Sequence, residues 1–239
     1  MYRLLLIIIS VIEINSQEVV ILSNVLDSAN TPIKVIEADV FLMEHKFLNE
    51  NVKIQLYYEC LCPDCRKFDT TVFARVYNIL QNYLDVHTYP YGNAQTITHA
   101  DGTVDFECQH GVEECYGNML HACAIDILAN TTASIEFNMC LMDYKNGEQG
   151  SNDATADKCG ELLNIKVESI KKCAKGDKGK DLLKYYGDES HKVHYNYVPY
   201  VLINGVEWNQ DTETDFMKRV CQAFKIPPPP CEGAYNLSN

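Results

Sequence analysis

Between residues 52 and 59 the chain reads Val-Lys-Ile-Gln-Leu-Tyr-Tyr-Glu. Apolar and polar side chains alternate and strand formers dominate, which predicts a central β-strand. The period then changes. Phe68, Val72, Phe73, Val76, Ile79, Leu80 and Leu84 recur at helical spacing, and Pro63 suits the first turn of that helix, where its missing N–H costs nothing. A second strand is expected around Asp85 to Tyr89, ended by Pro90 and Gly92. Further upstream, Val19 to Leu22 and Lys34 to Leu42 are strand-like but irregular.

From about Phe106 to His191 the pattern is helical and studded with cysteine. Met119, Leu120, Cys123, Ile127 and Leu128 form one stripe. Shorter helices are expected over Ser134 to Leu141, Cys159 to Ile165 and Asp177 to Tyr186. The lysine-rich stretch Lys171 to Lys184, with Gly176 and Gly179, reads as a solvated helix–loop–helix surface. Strand character returns at Val198 to Ile203, Asn204-Gly205 is a hairpin signal, and Val206 to Trp208 is the return strand. Thr212 with Asp215 resembles a helix start, and Phe216, Met217, Val220 and Phe224 form that helix's apolar face. Pro227 to Pro230 stop it and predict an extended tail. The order strand, helix, strand, helical block, hairpin, helix predicts an α/β fold with a helical subdomain inserted between two halves.

The first 16 residues read as a signal peptide. Arg3 supplies the positive charge, Leu4 to Ile12 is apolar except for Ser10, Glu13 ends the run, and cleavage falls near Ser16 or Gln17. The run is shorter than the roughly 20 apolar residues that span a bilayer. Residues 17–50 are then an N-terminal extension, 51–105 and 192–226 the two halves, 106–191 the insertion and 227–239 the tail. A net charge of -13 over 239 residues disfavours nucleic acid and anionic membranes as partners. Eleven cysteines on a secretory route imply oxidising conditions and disulfides. The sequons at Asn130 and Asn236 are glycosylation candidates on the same route.

The chemistry centres on Cys62-Pro63-Asp64-Cys65, placed where a strand turns into a helix. Cys62 would stand at the helix N-terminus, where free N–H groups and the helix dipole favour its thiolate, the attacking species in disulfide exchange. Cys65 is then near enough to resolve the mixed disulfide. Asp64 opposes the thiolate by like-charge repulsion, whereas Arg66 favours it. A zinc site would need a second cysteine pair at similar spacing, which is absent; a purely structural disulfide is the remaining alternative. Cys221 and Cys231 bracket the proline run, and a disulfide there would pin the tail.

Cys108-Gln109-His110-Gly111-Val112-Glu113-Glu114-Cys115-Tyr116-Gly117-Asn118, followed by Cys123, resembles the signature of the gamma-interferon-inducible lysosomal thiol reductase (GILT) family. Tyr57-Tyr58-Glu59, the segment Tyr89 to Gln95 and Val198-Pro199 are similar to other segments of that family. The resemblance covers roughly residues 52–231. It implies a thioredoxin-like fold, reduction of protein disulfides, and residence in lysosomes or outside the cell. It carries the active pair onto Cys62 and Cys65, and onto Pro199 the cis-proline that faces such a pair. It implies no bound cofactor, with a small thiol or a reductase as electron donor and disulfide-containing proteins as substrates.

With the redox pair set aside, nine cysteines remain, an odd number. Cys60 departs from the family pattern and is expected to be the free thiol, either buried and inert or competing with Cys65. The other eight, Cys108, Cys115, Cys123, Cys140, Cys159, Cys173, Cys221 and Cys231, are disulfide candidates. The long motif reads as a brace for the inserted helices, and His110 as a packing residue with a proton-donor role as the alternative. A secreted binding protein that keeps the fold only as a scaffold is the competing function.

Overall fold

The structure is a computed structural model that describes residues 51–128, 130–208 and 215–232, together with the backbone of two strands near the N-terminus. The chain divides into Met1–Glu50 and Asn51–Asn239. In the first unit β1 (Ile9–Ile14) pairs antiparallel with β2 (Gln17–Leu22), with Ile9 opposite Leu22. β1 falls within the segment read as a signal peptide; its isoleucines and valine are strand formers as well as an apolar run. The strand expected at Lys34 to Leu42 and the sequon at Asn236 lie outside the described residues.

The second unit is built on β3 (Val52–Tyr58), the alternating strand of the sequence. β3 pairs parallel with β4 (Leu84–Pro90) and antiparallel with β7 (Tyr200–Ile203), and β7 pairs with β8 (Val206–Trp208), giving the order β4-β3-β7-β8. Val52, Ile54 and Leu56 of β3 join Val86, Val201 and Ile203 in one buried cluster. Helical segments complete that cluster. The first enters as α1 (Pro63–Lys67), passes through a π-helical turn at Phe68–Phe73 and leaves as α2 (Ala74–Leu80). The wide turn has a local cause. Thr70 and Thr71 hydroxyls donate to the carbonyls of Arg66 and Lys67 at 2.7 and 2.6 Å, which loosens the helical ladder there. A later helix near the C-terminus adds Phe216 and Val220.

After β4 a small hairpin forms, β5 (Gln95–Thr98) with β6 (Val104–Glu107). It straddles the boundary expected between residues 105 and 106, and Phe106 is in a strand rather than a helix. The insertion proper is α3 (Val112–Ile127), α4 (Thr131–Met142), α5 (Asp153–Leu163), α6 (Glu168–Ala174) and α7 (Asp177–His191). α5 begins six residues before the expected Cys159 because Asn152 caps it, its side chain accepting from Thr155 N–H. Four disulfides hold the unit. Cys108–Cys115 closes the loop leading into α3, Cys123–Cys173 joins α3 to α6, and Cys140–Cys159 joins α4 to α5.

The fourth, Cys221–Cys231, ties α8 (Asp215–Gln222) to the tail. The tail is not simply extended. Pro229–Cys231 forms a 3-10 turn, and Cys231 is buried in the same cluster as the sheet. The boundary expected at 227 therefore separates two segments that pack together, because the disulfide draws the chain back onto the core.

Candidate active site

The carboxyl end of β3 runs through Glu59, Cys60 and Leu61 into the redox helix. Cys62 is the residue before α1, Pro63 opens the helix, and Arg66 N–H bonds the Cys62 carbonyl at 2.9 Å. The two cysteines stand in unlike surroundings. Cys62 is partly exposed and Cys65 is fully buried, and both are free thiols. The Cys62 thiol is lowered to about 6, first by its hydrogen bond with Cys65 and further by the backbone N–H groups of Cys65 and Asp64; partial burial and the Asp64 carboxylate oppose this. Burial pushes the Cys65 thiol well up, and hydrogen bonding to and the charge of Cys62 add to that.

Arg66 does not act as the sequence suggests. Its guanidinium is turned away and donates to the carbonyls of Met142, Gly147 and Glu148 at 2.8, 2.8 and 3.0 Å, with Tyr144 stacked 3.5 Å from its centre. It ties the redox helix to the end of α4. The thiolate is favoured instead by its hydrogen bond with Cys65 and by backbone N–H groups, short-range effects that do not depend on residue charge.

Pro199 precedes β7, and the Val198–Pro199 bond is cis. The register pairs Tyr57 with Tyr200, so Pro199 lies at the same end of the sheet as the chain leading to Cys62. Asn130, the other sequon, is exposed and caps α4 through Oδ1, which accepts from Thr132 and Ala133 N–H.

Cys60 is buried and free. Its N–H bonds Asn118 Oδ1 at 2.9 Å and its sulfur lies 3.6 Å from the Glu114 carbonyl. Gly117 leaves the room for that sulfur: a Cβ there would come within 2.4 Å of it. Burial raises the Cys60 thiol well above its usual value. Cys60 is thus closed in by the long cysteine-rich motif and takes the inert fate of the two considered.

The same motif encloses Glu59, which the sequence reading left unassigned. Glu59 Oε2 accepts from Asn93 N–H at 2.8 Å. Gly92, at φ +64°, has no Cβ because one would stand 2.2 Å from that oxygen. Glu59 Oε1 is buried without a hydrogen bond and lies 3.4 Å from His110 Nδ1. His110 Nδ1 in turn sits 2.6 Å from Glu114 Oε2, and His110 N–H donates to Glu114 Oε1 at 3.0 Å. The available signal was a glutamate directly after the alternating central strand, three residues before the first redox cysteine. Its partners lie far along the chain, so the cluster itself was not legible.

Glu59, His110 and Glu114 also have the composition of a metal site, with donor atoms all within 4.8 Å of one another. The closest pair is spaced for a hydrogen bond and not for a shared ion. Two donors bound tetrahedrally to one ion at about 2.1 Å stand about 3.4 Å apart, farther than the 2.6 Å between His110 and Glu114. A cavity of about 310 Å³ opens elsewhere, along β4, lined by residues that include His87, Tyr89, Tyr185 and Tyr186 and neither redox cysteine.

A family model described as gamma interferon inducible lysosomal thiol reductase (GILT) matches residues 53–163. The chain is 36% identical to GILT-like protein 2 of Drosophila melanogaster over 164 residues, which is 68% of this chain and 73% of that one. It is 31% identical over 188 residues to the gamma-interferon-inducible lysosomal thiol reductase of Carassius auratus, covering 75% of this chain and 71% of that one. Among solved structures it is similar to reduced DsbA of Mycobacterium tuberculosis, with a TM-score of 0.54 at 16% identity over 79% of this chain and 89% of that one. DsbG from the same organism gives a TM-score of 0.53 at 17% identity, over 78% and 84%. These two likenesses establish the thioredoxin-like fold.

Proposed function

The chain belongs to the gamma-interferon-inducible lysosomal thiol reductase family and is a thiol-disulfide oxidoreductase, and on that premise we propose that it reduces protein disulfides through Cys62 and Cys65. The Cys62 thiolate attacks one sulfur of a substrate disulfide and forms a mixed disulfide. Cys65 then attacks Cys62, the substrate leaves with both its sulfurs reduced, and a Cys62–Cys65 disulfide remains. An external thiol restores the pair, so no bound cofactor is required. Pro199 borders the substrate's approach to Cys62.

The observation that carries this reading is the asymmetry of the pair: a partly exposed thiol lowered to about 6 beside a buried one raised well above its usual value. That is the division between an attacking and a resolving thiol. A binding protein that kept the fold only as a scaffold would have no use for it.

The same asymmetry favours work in acidic vesicles or after secretion into acidic surroundings. At pH 5 a thiol lowered to about 6 is about 9% ionised, against about 0.03% for an ordinary cysteine at about 8.5. The weaker nucleophilicity of a low-pKa thiolate offsets about 13-fold of that 300-fold gain at a Brønsted slope of about 0.45, leaving about 20-fold. Among the described residues no helix is long and apolar enough to cross a membrane. Glycosylation at the exposed Asn130 fits a secretory route.

Insulin reduction with a small thiol donor, measured at pH 5 and pH 7, tests the function. Wild type should turn over at both values and Cys62→Ser should be inactive. Full activity in Cys62→Ser would refute the assignment.

A further inference from the structure

The long cysteine-rich motif reads from sequence as a brace, yet its polar side chains converge on a single buried carboxylate. Glu59 follows β3 directly, and its own backbone hydrogen-bonds the Cys65 sulfur. Its side chain is 0% exposed, and one of its oxygens makes no hydrogen bond. Beside that oxygen stands His110, whose side chain is 32% exposed and whose Nδ1 is shared between Glu59 and Glu114, leaving Nε2 as its other ring nitrogen. The cluster thus joins a buried carboxylate, whose charge reaches the buried Cys65 thiol, to an imidazole that reaches water.

A buried resolving cysteine presents a chemical problem that this arrangement answers. Cys65 must lose a proton before it can attack Cys62, and its thiol is 0% exposed, so water does not take that proton directly. We propose that the Glu59 carboxylate is the proton acceptor for Cys65 in the resolving step, and that His110, positioned by Glu114, carries the proton between Glu59 and solvent. This rests on the reading of Cys62 as attacking and Cys65 as resolving thiol.

In that step the Cys65 S–H proton passes to Glu59, and a bond forms between the sulfurs of Cys65 and Cys62. The bond between Cys62 and the substrate sulfur breaks, and the substrate leaves with that electron pair and takes a proton from water. Over the full cycle the substrate gains two electrons and the Cys62–Cys65 pair loses two.

The groups that face Glu59 set its proton affinity in the useful range. Burial raises it to about 7, with the charges of Glu114 and Cys62 adding and with Asn93 N–H and His110 opposing. Cys60, Cys65 and Tyr195 also feel its charge. The Cys62 contribution has a consequence for timing. Once Cys62 is tied up in a mixed disulfide its thiolate is gone, so Glu59 ionises more readily in the intermediate that needs a base.

The competing role is electrostatic only, and it predicts the opposite sign. A charge at Glu59 raises the Cys65 thiol. If that were its sole effect, Glu59→Gln would lower Cys65 and speed resolution. Removing a proton acceptor slows it, by about a hundredfold for typical general-base catalysis.

An aromatic disulfide that releases a coloured thiolate separates the two steps in a stopped-flow experiment: a first burst reports attack by Cys62, a second reports resolution by Cys65. In Glu59→Gln the second burst should slow by about a hundredfold while the first changes far less. A second burst that is unchanged or faster overturns the proposal. Wild type gives a test that needs no folded variant. Its second-burst rate should level off at or below about pH 7, following Glu59, and a rate still rising tenfold per pH unit at pH 8.5 overturns it. Absence of any first burst in wild type would instead refute the attacking role of Cys62.

Discussion

Acidification from pH 7 to pH 5 should stabilise the fold, by an amount that two buried carboxyls set against a buried histidine and the Cys62 thiol. Burial alone raises Asp69 to about 7, and burial leads the rise of Glu59 to about 7. Ordinary values in the unfolded chain are about 4. Between those limits the folded state holds a proton at each site that the unfolded state has lost, so each site adds about 1.4 kcal/mol of stability per pH unit of acidification. His121 works the other way. Fully buried, its imidazole is lowered to about 3. Below about 6.5 the unfolded state binds a proton there that the folded state refuses, which removes about 1.4 kcal/mol per pH unit. From pH 7 to 5 the two carboxyls against His121 add about 3 kcal/mol, while Cys62, lowered to about 6, is protonated between pH 7 and 6 in the unfolded chain and not in the folded one, which removes about 1.4 kcal/mol. The sum is about 2 kcal/mol, or about 4–8 °C in Tm for a domain of this size. Urea unfolding at pH 5, 6 and 7 with the disulfides intact measures it. Asp69→Asn removes one carboxyl, leaves Glu59 and His121 nearly balanced, and should flatten the profile between pH 5 and 6. A wild-type protein that loses 1 kcal/mol or more of stability on going from pH 7 to pH 5 would refute the reasoning.

Other perturbations reach the remaining parts of the site. Cys65→Ser should keep Cys62 reactive and accumulate mixed disulfides with substrate, visible as a mass shift that a reductant removes; rapid release without an added thiol would contradict resolution by Cys65. Gly117→Ala should cost about 1–3 kcal/mol, because its Cβ meets the Cys60 sulfur at 2.4 Å, and Cys60→Ala should restore part of the loss in a double-mutant cycle. Replacing both Cys123 and Cys173 by alanine opens a loop with a sequence separation of 50 and should lower stability by about 4 kcal/mol, read by urea unfolding.

The parts of the fold legible in the sequence were those fixed by local pattern. β3 alternates, the redox helix carries Pro63 in its first turn, and Asn204-Gly205 turns the β7–β8 hairpin. The β5–β6 hairpin was not legible, since its two strands have four residues each and expose most of their side chains, leaving little apolar alternation. Arg66 sits one position past the redox pair, and charge alone suggested that it favours the thiolate. Its three carbonyl partners lie more than 75 residues away in sequence and only the fold brings them to it. Cys60, Glu59 and the polar residues of the long motif show the same limit: each was visible as an unusual residue, and its role depends on contacts across β3, the turn at Gly92 and α3.

The attacking role of Cys62 is tested most directly by the pH dependence of alkylation in the reduced, native protein, with peptide mapping of the modified cysteine. The structure predicts fast labelling at Cys62 with a midpoint near pH 6, and protection of Cys60 and Cys65 over the same range. Labelling that begins only above pH 8, or that falls first on Cys65 or Cys60, would contradict it.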